Sequence, residues 1–81
     1  MRITVKFFAS ARDRAGTAET TLELPVGSDV AAATVALAQR IPSLHDSLPR
    51  VAFAVNRAYA SAQTTLNDGD ELAVIPPVSG G

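Results

Sequence analysis

The segment Ile75-Pro76-Pro77-Val78-Ser79-Gly80-Gly81 carries the chain's most informative chemistry. Gly80 and Gly81 have no side chains, so a backbone of this kind can enter a channel too narrow for any other residue. Taken as the chain's own end, Gly81 offers one special functional group, a terminal carboxylate with a normal pKa of about 3.5. Ionised at neutral pH, it is a poor acyl donor until one oxygen becomes a leaving group, as in an acyl-adenylate. Pro76 and Pro77 favour polyproline geometry and cannot extend a hydrogen-bonded ladder, so they should end the preceding strand and direct the tail outward. At roughly 3.3 Å per residue, residues 76–81 reach about 20 Å. The alternative for the same residues is a loose terminus with no task.

Other chemistry is sparse. No cysteine is present, which removes disulfides, iron–sulfur clusters, thiolate zinc sites and cysteine nucleophiles together. His45 is the only histidine, so it reads as polar surface rather than as a metal ligand. Asp68-Gly69-Asp70 lacks the spaced acidic ligands of a calcium loop and reads as a turn. No catalytic dyad is visible, and no metal or directly bound cofactor is expected. Phe8, Tyr59 and Ile75 form a second constellation: strand alternation turns Phe7 and Val74 inward and leaves Phe8 and Ile75 on the opposite sheet face. Three bulky apolar residues there make either a docking patch beside the tail's exit or scattered surface hydrophobes. Arg12 falls in the connection after the first strand, where a solvated charge is the ordinary expectation.

The elements that position these residues follow from periodicity. Ile3, Val5 and Phe7 alternate with Thr4, Lys6 and Phe8 as a strand with one buried face. Residues 10–16 read as a polar, small-residue connection to a second strand, in which Thr20, Leu22 and Leu24 alternate with Thr21 and Glu23 before Pro25. Ser28 is placed to cap a helix, with Asp29 at the positive end of its dipole. Val30, Ala33, Leu37 and Ile41 then line one helical face, and Pro42 marks the end. Residues 43–50 are ambiguous: Leu44 and Leu48 fit a short helical turn or a loop sealing the core. Val51, Phe53 and Val55 form a third strand, Asn56-Arg57 a turn returning through Tyr59 and Ala60, and Asn67-Asp68-Gly69-Asp70 a turn into the last strand, residues 71–75. The expected core is Val5, Phe7, Leu22, Leu24, Leu37, Phe53, Val55, Leu72 and Val74.

Strand, strand, helix, strand, possible short strand, strand is the order of an α+β fold of the β-grasp (ubiquitin-like) kind, a mixed sheet with one main helix packed across it. A crossover through the helix makes two strands parallel. The 81 residues suit one domain, expected over residues 1–75, with a flexible Gly-Gly tail at 76–81. Formal net charge is −1 with the charges scattered, which argues against nucleic acid and anionic membrane as partners. No apolar run approaches the roughly 20 residues of a membrane span, and the opening residues do not look like a signal peptide. A soluble, cytoplasmic protein is expected.

Phe7-Phe8-Ala9 with Arg12 and Gly16, then Ala54-Val55-Asn56, then Asp68-Gly69-Asp70-Glu71 and the ending Pro76-Pro77-Val78-Ser79-Gly80-Gly81 resemble the ubiquitin-like sulfur carriers, in particular the small-subunit family of molybdopterin synthase. The resemblance spans nearly the whole chain. It implies that the terminal glycine, Gly81, is adenylated by a ubiquitin-activating-like adenylyltransferase that uses ATP. A sulfur donor system then converts it to a thiocarboxylate. Residues Pro76, Pro77, Val78, Ser79 and Gly80 insert into the synthase large subunit, where the sulfur passes to a cyclic pyranopterin monophosphate on the way to molybdenum cofactor. It further implies that Phe8, Arg12, Tyr59 and Ile75 dock the partner. Two alternatives stay open: a sulfur carrier for thiamine-thiazole or another thiolated metabolite, and a β-grasp interaction module with an inert tail.

Overall fold

A computed structural model describes residues 1–77. The expectations attached to Val78, Ser79, Gly80 and Gly81 lie outside the described residues. Five strands, β1 (Arg2–Phe7), β2 (Glu19–Glu23), β3 (Ala52–Val55), β4 (Ala58–Ala60) and β5 (Glu71–Ile75), form one sheet in the order β2-β1-β5-β3-β4. β1 and β5 are parallel, and the other neighbours are antiparallel. Helices are α1 (Ser10–Ala15) and α2 (Val30–Arg40), followed by 3₁₀ turns at Pro42–Leu44 and Leu48–Arg50.

The period of two in β1 buries Ile3, Val5 and Phe7. They pack with Leu22, Leu72 and Val74 from the neighbouring strands against Val30, Ala33 and Leu37 of α2. Each large aliphatic side chain so buried contributes about 1.5 to 3 kcal/mol relative to exposure. Leu44 and Leu48 are both buried, so the two 3₁₀ turns seal the core. Ile3, on the buried face that its alternation predicted, and Leu66, from the loop before β5, are each 1% exposed and extend the expected core.

Three further expectations need correction. Residues 10–16 are not a simple connection: Ser10–Ala15 form a helix whose Ala11 is buried, closed by Gly16 at φ 75° donating to the Arg12 carbonyl. A six-residue helix is too short to form alone, so burial of Ala11 is what selects it. Ser28 is not the cap of α2. Asp29 is, accepting from the Ala32 amide at 2.9 Å, while Ser28 Oγ donates to the Pro25 carbonyl. The Val30 and Ala31 amides donate to the carbonyls of Thr64 and Ala62, so a distant loop satisfies the donors that a helix start leaves open. The third strand begins at Ala52 rather than Val51. Phe53 lies opposite Val74 and Val55 opposite Leu72, the inward phase, yet both are only half-buried. Phe53 lines an open cleft of about 460 Å³ with Ala31 and Thr34 of α2 and with Leu48 and Pro49.

The motif residues around the two turns fasten β5 into place. Asn56 and Arg57 both have positive φ, 50° and 71°, as a two-residue hairpin turn whose twist matches its strands requires. The Asn56 side chain donates to Asp70 and accepts from the Glu71 amide, both at 3.0 Å. Asp68 accepts from the Arg2 amide, and the Gly69 amide donates to the Arg2 carbonyl, which ties the same turn to β1.

Candidate functional site: the outer sheet face and the root of the tail

The sheet face turned away from α2 is built from the outward phases of four strands. Tyr59 lies opposite Ala54, Ala54 opposite Ala73, and Ala73 opposite Lys6, giving a row that crosses β4, β3, β5 and β1. Ile75 sits one step along, opposite Ala52, and the Phe8 amide continues the parallel ladder by donating to the Val74 carbonyl at 3.3 Å. Ala54 and Ala73 are small, so the larger residues around them enclose a concavity of about 330 Å³. Phe8, Tyr59 and Ile75 all line it.

Phe8 is 49% exposed and Tyr59 82%, whereas Ile75 is half-buried among its neighbours. Ala9, at φ 50° and ψ −128°, turns the chain sharply from β1 into α1, and the Phe8 carbonyl accepts from the Ala11 amide in the first turn. Such a backbone conformation costs an alanine about 1 to 3 kcal/mol and is held here by the packing of α1.

One end of the concavity is charged. Lys6 Nζ and Glu71 Oε1 are 2.7 Å apart, and Arg57 lines the same end. The hydrogen bond to Glu71, reinforced by its charge, raises the Lys6 pKa above the ordinary lysine value. The same bond holds the Glu71 carboxyl below the ordinary glutamate range, with some opposition from desolvation. The sequence reading missed Lys6, Glu71 and Arg57. Lys6 and Glu71 share the outward phase of Phe8 and Ile75, a signal that becomes usable only once the β1–β5 register is known.

Arg12 is not brought to this face. It is exposed on α1 and lines neither the concavity nor the tail's root. Pro76, half-buried, and Pro77, exposed, follow Ile75 directly and lie against a separate cleft of about 140 Å³. Ser10, Ala11 and Arg14 of α1 line one side of it, and Ser47, Arg50 and Val51 complete it. Ile75 of the concavity and Pro76-Pro77 of the cleft are therefore consecutive, at the end of one strand, β5. His45 is exposed, 3.3 Å from Asp46, and no group of three or more potential metal ligands occurs among the described residues. No described helix is long and apolar enough to cross a membrane.

Comparison with known proteins agrees with this architecture. The chain is similar to a molybdopterin synthase sulfur carrier subunit from Chlamydomonas reinhardtii, 39% identical over 83 residues and covering all of both chains. Its fold matches SAMP1 from Haloferax volcanii with a TM-score of 0.93 at 27% identity over the full length of both. It also matches a chain from the complex of subunits 1 and 2 of molybdopterin-converting factor from Helicobacter pylori, with a TM-score of 0.72 at 27% identity and full coverage of both. The model of the ThiS family matches residues 5–81, and the chain belongs to that family.

Proposed function

We propose that this chain is the sulfur-carrier small subunit of molybdopterin synthase, bearing sulfur as a thiocarboxylate on Gly81 and donating it to cyclic pyranopterin monophosphate. The observation that carries the reading is the joining of Phe8, Tyr59 and Ile75 in one concavity, with Ile75 ending the strand that runs directly into Pro76-Pro77. A surface that grips a partner and a tail that enters it then keep a constant separation. The sulfur-carrier name of the similar algal protein and the two-subunit Helicobacter complex support a large subunit as partner.

The chemistry is acyl transfer. An oxygen of the Gly81 carboxylate attacks the α-phosphorus of ATP on a ubiquitin-activating-like adenylyltransferase, and pyrophosphate leaves. Sulfur at the sulfide level, supplied by the donor system, attacks the acyl carbon, and AMP leaves. The thiocarboxylate is then carried by residues 76–81 into the large subunit, where its sulfur bonds to an electrophilic carbon of the precursor and displaces an oxygen substituent. Water cleaves the acyl–sulfur bond of the resulting thioester, returning the Gly81 carboxylate and leaving the thiol on the precursor. Binding, activation and acid–base groups come from the partners, and this chain contributes position: misplacing a reacting atom by about 1 Å can cost a hundredfold in rate. Phe8, Tyr59 and Ile75 dock the partner, while Arg12, apart from them on α1, contributes charge at the periphery.

Intact-mass analysis of protein with an untagged C-terminus tests the proposal. Incubation with the activating enzyme, ATP and a sulfur donor is expected to replace one oxygen by sulfur. If the mass never changes while the enzymes thiolate a known carrier, the sulfur-carrier reading is wrong.

A further inference from the structure

Lys6 and Glu71 satisfy each other on the docking face, but the cations at the tail's root are arranged differently. Arg14, from the last turn of α1, and Arg50, from the second 3₁₀ turn, line the same small cleft beside Pro76 and Pro77. Neither makes an ion pair or a side-chain hydrogen bond among the described residues, and no acidic side chain lines the cleft. α1 is held by its structural ties rather than by charge: Ser43 Oγ donates to the Arg14 carbonyl at 2.6 Å, and Ala11 is buried beneath.

Two like charges in a shared cleft are tolerable while water screens them. If the tail runs into a partner, the partner's rim must pass over Pro76 and Pro77 and strip that water from both guanidiniums. Burying them unpaired would be strongly unfavourable, whereas a carboxylate between them accepts short, charge-assisted and bidentate hydrogen bonds. The cleft's 140 Å³ is on the scale of one amino-acid side chain, and the hydroxyls of Ser10 and Ser47 add polar lining.

We propose that Arg14 and Arg50 form a socket for an aspartate or glutamate side chain of the synthase large subunit, gripped beside the root of the tail. This rests on the sulfur-carrier reading above. The socket fixes where the tail leaves one protein and enters the other, separately from the apolar contact on the outer sheet face.

Titration calorimetry against the purified large subunit, at low and high salt, tests this with Arg14→Gln, Arg50→Gln and the double variant. Melting curves should stay close to wild type, because both side chains are exposed. Each single variant is expected to weaken binding at least about tenfold and to flatten the salt dependence, since the buried carboxylate then keeps only one of its two charge-assisted partners. Arg50→Lys should recover part of the affinity, which separates loss of charge from loss of packing. Ile75→Asp should weaken binding while leaving the salt dependence due to the socket in place.

Wild-type affinity and salt dependence in the double variant would overturn the socket and leave the carrier reading standing. So would loss of inorganic phosphate binding in the variants with complex formation unaffected, which would make the cleft a site for a free anion. A wild-type protein that neither binds the large subunit nor acquires sulfur would overturn both.

Discussion

Lys6 Nζ and Glu71 Oε1 stand 2.7 Å apart across the parallel seam of β1 and β5, on the face that also carries Phe8 and Ile75. Thr4, not Lys6, is the register partner of Glu71, so the ion pair runs diagonally and braces the seam that the crossover through α2 creates. The two pKa shifts set its pH window. Glu71 is depressed below 4.5, so its contribution is present above that value and fades as pH falls through the lowered pKa. Lys6 is raised above 10.5, so its contribution is complete below that value and fades as pH rises through the raised pKa. The melting temperature of wild type should therefore exceed that of Lys6→Met most between these limits, with the gap narrowing on both flanks and in high salt. A gap that ignores pH would assign the effect to the lysine's packing instead.

Ile75→Asp should leave the fold largely intact, since Ile75 is half-buried on the outer face and outside the core beneath α2. Placing a carboxylate in the apolar end of the concavity should weaken association with the large subunit by at least about tenfold, because central apolar anchors dominate binding. Unchanged affinity by calorimetry would remove this face from the docking site.

Leu37 is fully buried in α2, whereas Phe53 points inward from a thinly covered strand. Leu37→Ala should cost about 2 to 5 kcal/mol. Phe53→Ala, which leaves a gap already open to water, should cost about 1 to 2.5 kcal/mol, below the usual cost for a fully buried phenylalanine. Denaturant melts of the two variants decide the order. A larger loss at Phe53 would mean that α2 and the second 3₁₀ turn close over the side chain more tightly than its open cleft implies.

Adding one alanine after Gly81 should abolish sulfur transfer and leave the melting curve unchanged. The addition shifts the carboxylate by roughly 3.5 Å and gives the terminal residue a Cβ. Among the described residues the core lies wholly before Pro76, so folding has no reason to respond. Thiocarboxylate formation and product synthesis are compared with purified partners; an extended protein working at the native rate would show that the chemistry is not on the terminal carboxylate.

Residue pattern carried the order of elements, because alternation in β1 and β5 and the 3,4 spacing in α2 are local consequences of which side chains avoid water; the β-grasp topology drew on the motif resemblance as well. The stop at Pro76 was likewise legible, since a proline ends a strand through its own covalent structure; the reading of Gly80 and Gly81 lies outside the described residues. Phe8 and Ile75 could be assigned to the outer face by phase. What brings them beside Tyr59, Lys6 and Glu71 is the β2-β1-β5-β3-β4 order, which only long-range pairing sets. The same holds for α1 and the start of α2: Ala11 makes a helix of a connection by being buried, and the carbonyls of Ala62 and Thr64 help Asp29, rather than Ser28, begin α2. Arg14 and Arg50 lie 36 positions apart, and neither stands out among the seven basic residues. Their meeting at the tail's root depends on α1 and the second 3₁₀ turn closing over the same core, a contact that no periodicity within either segment encodes.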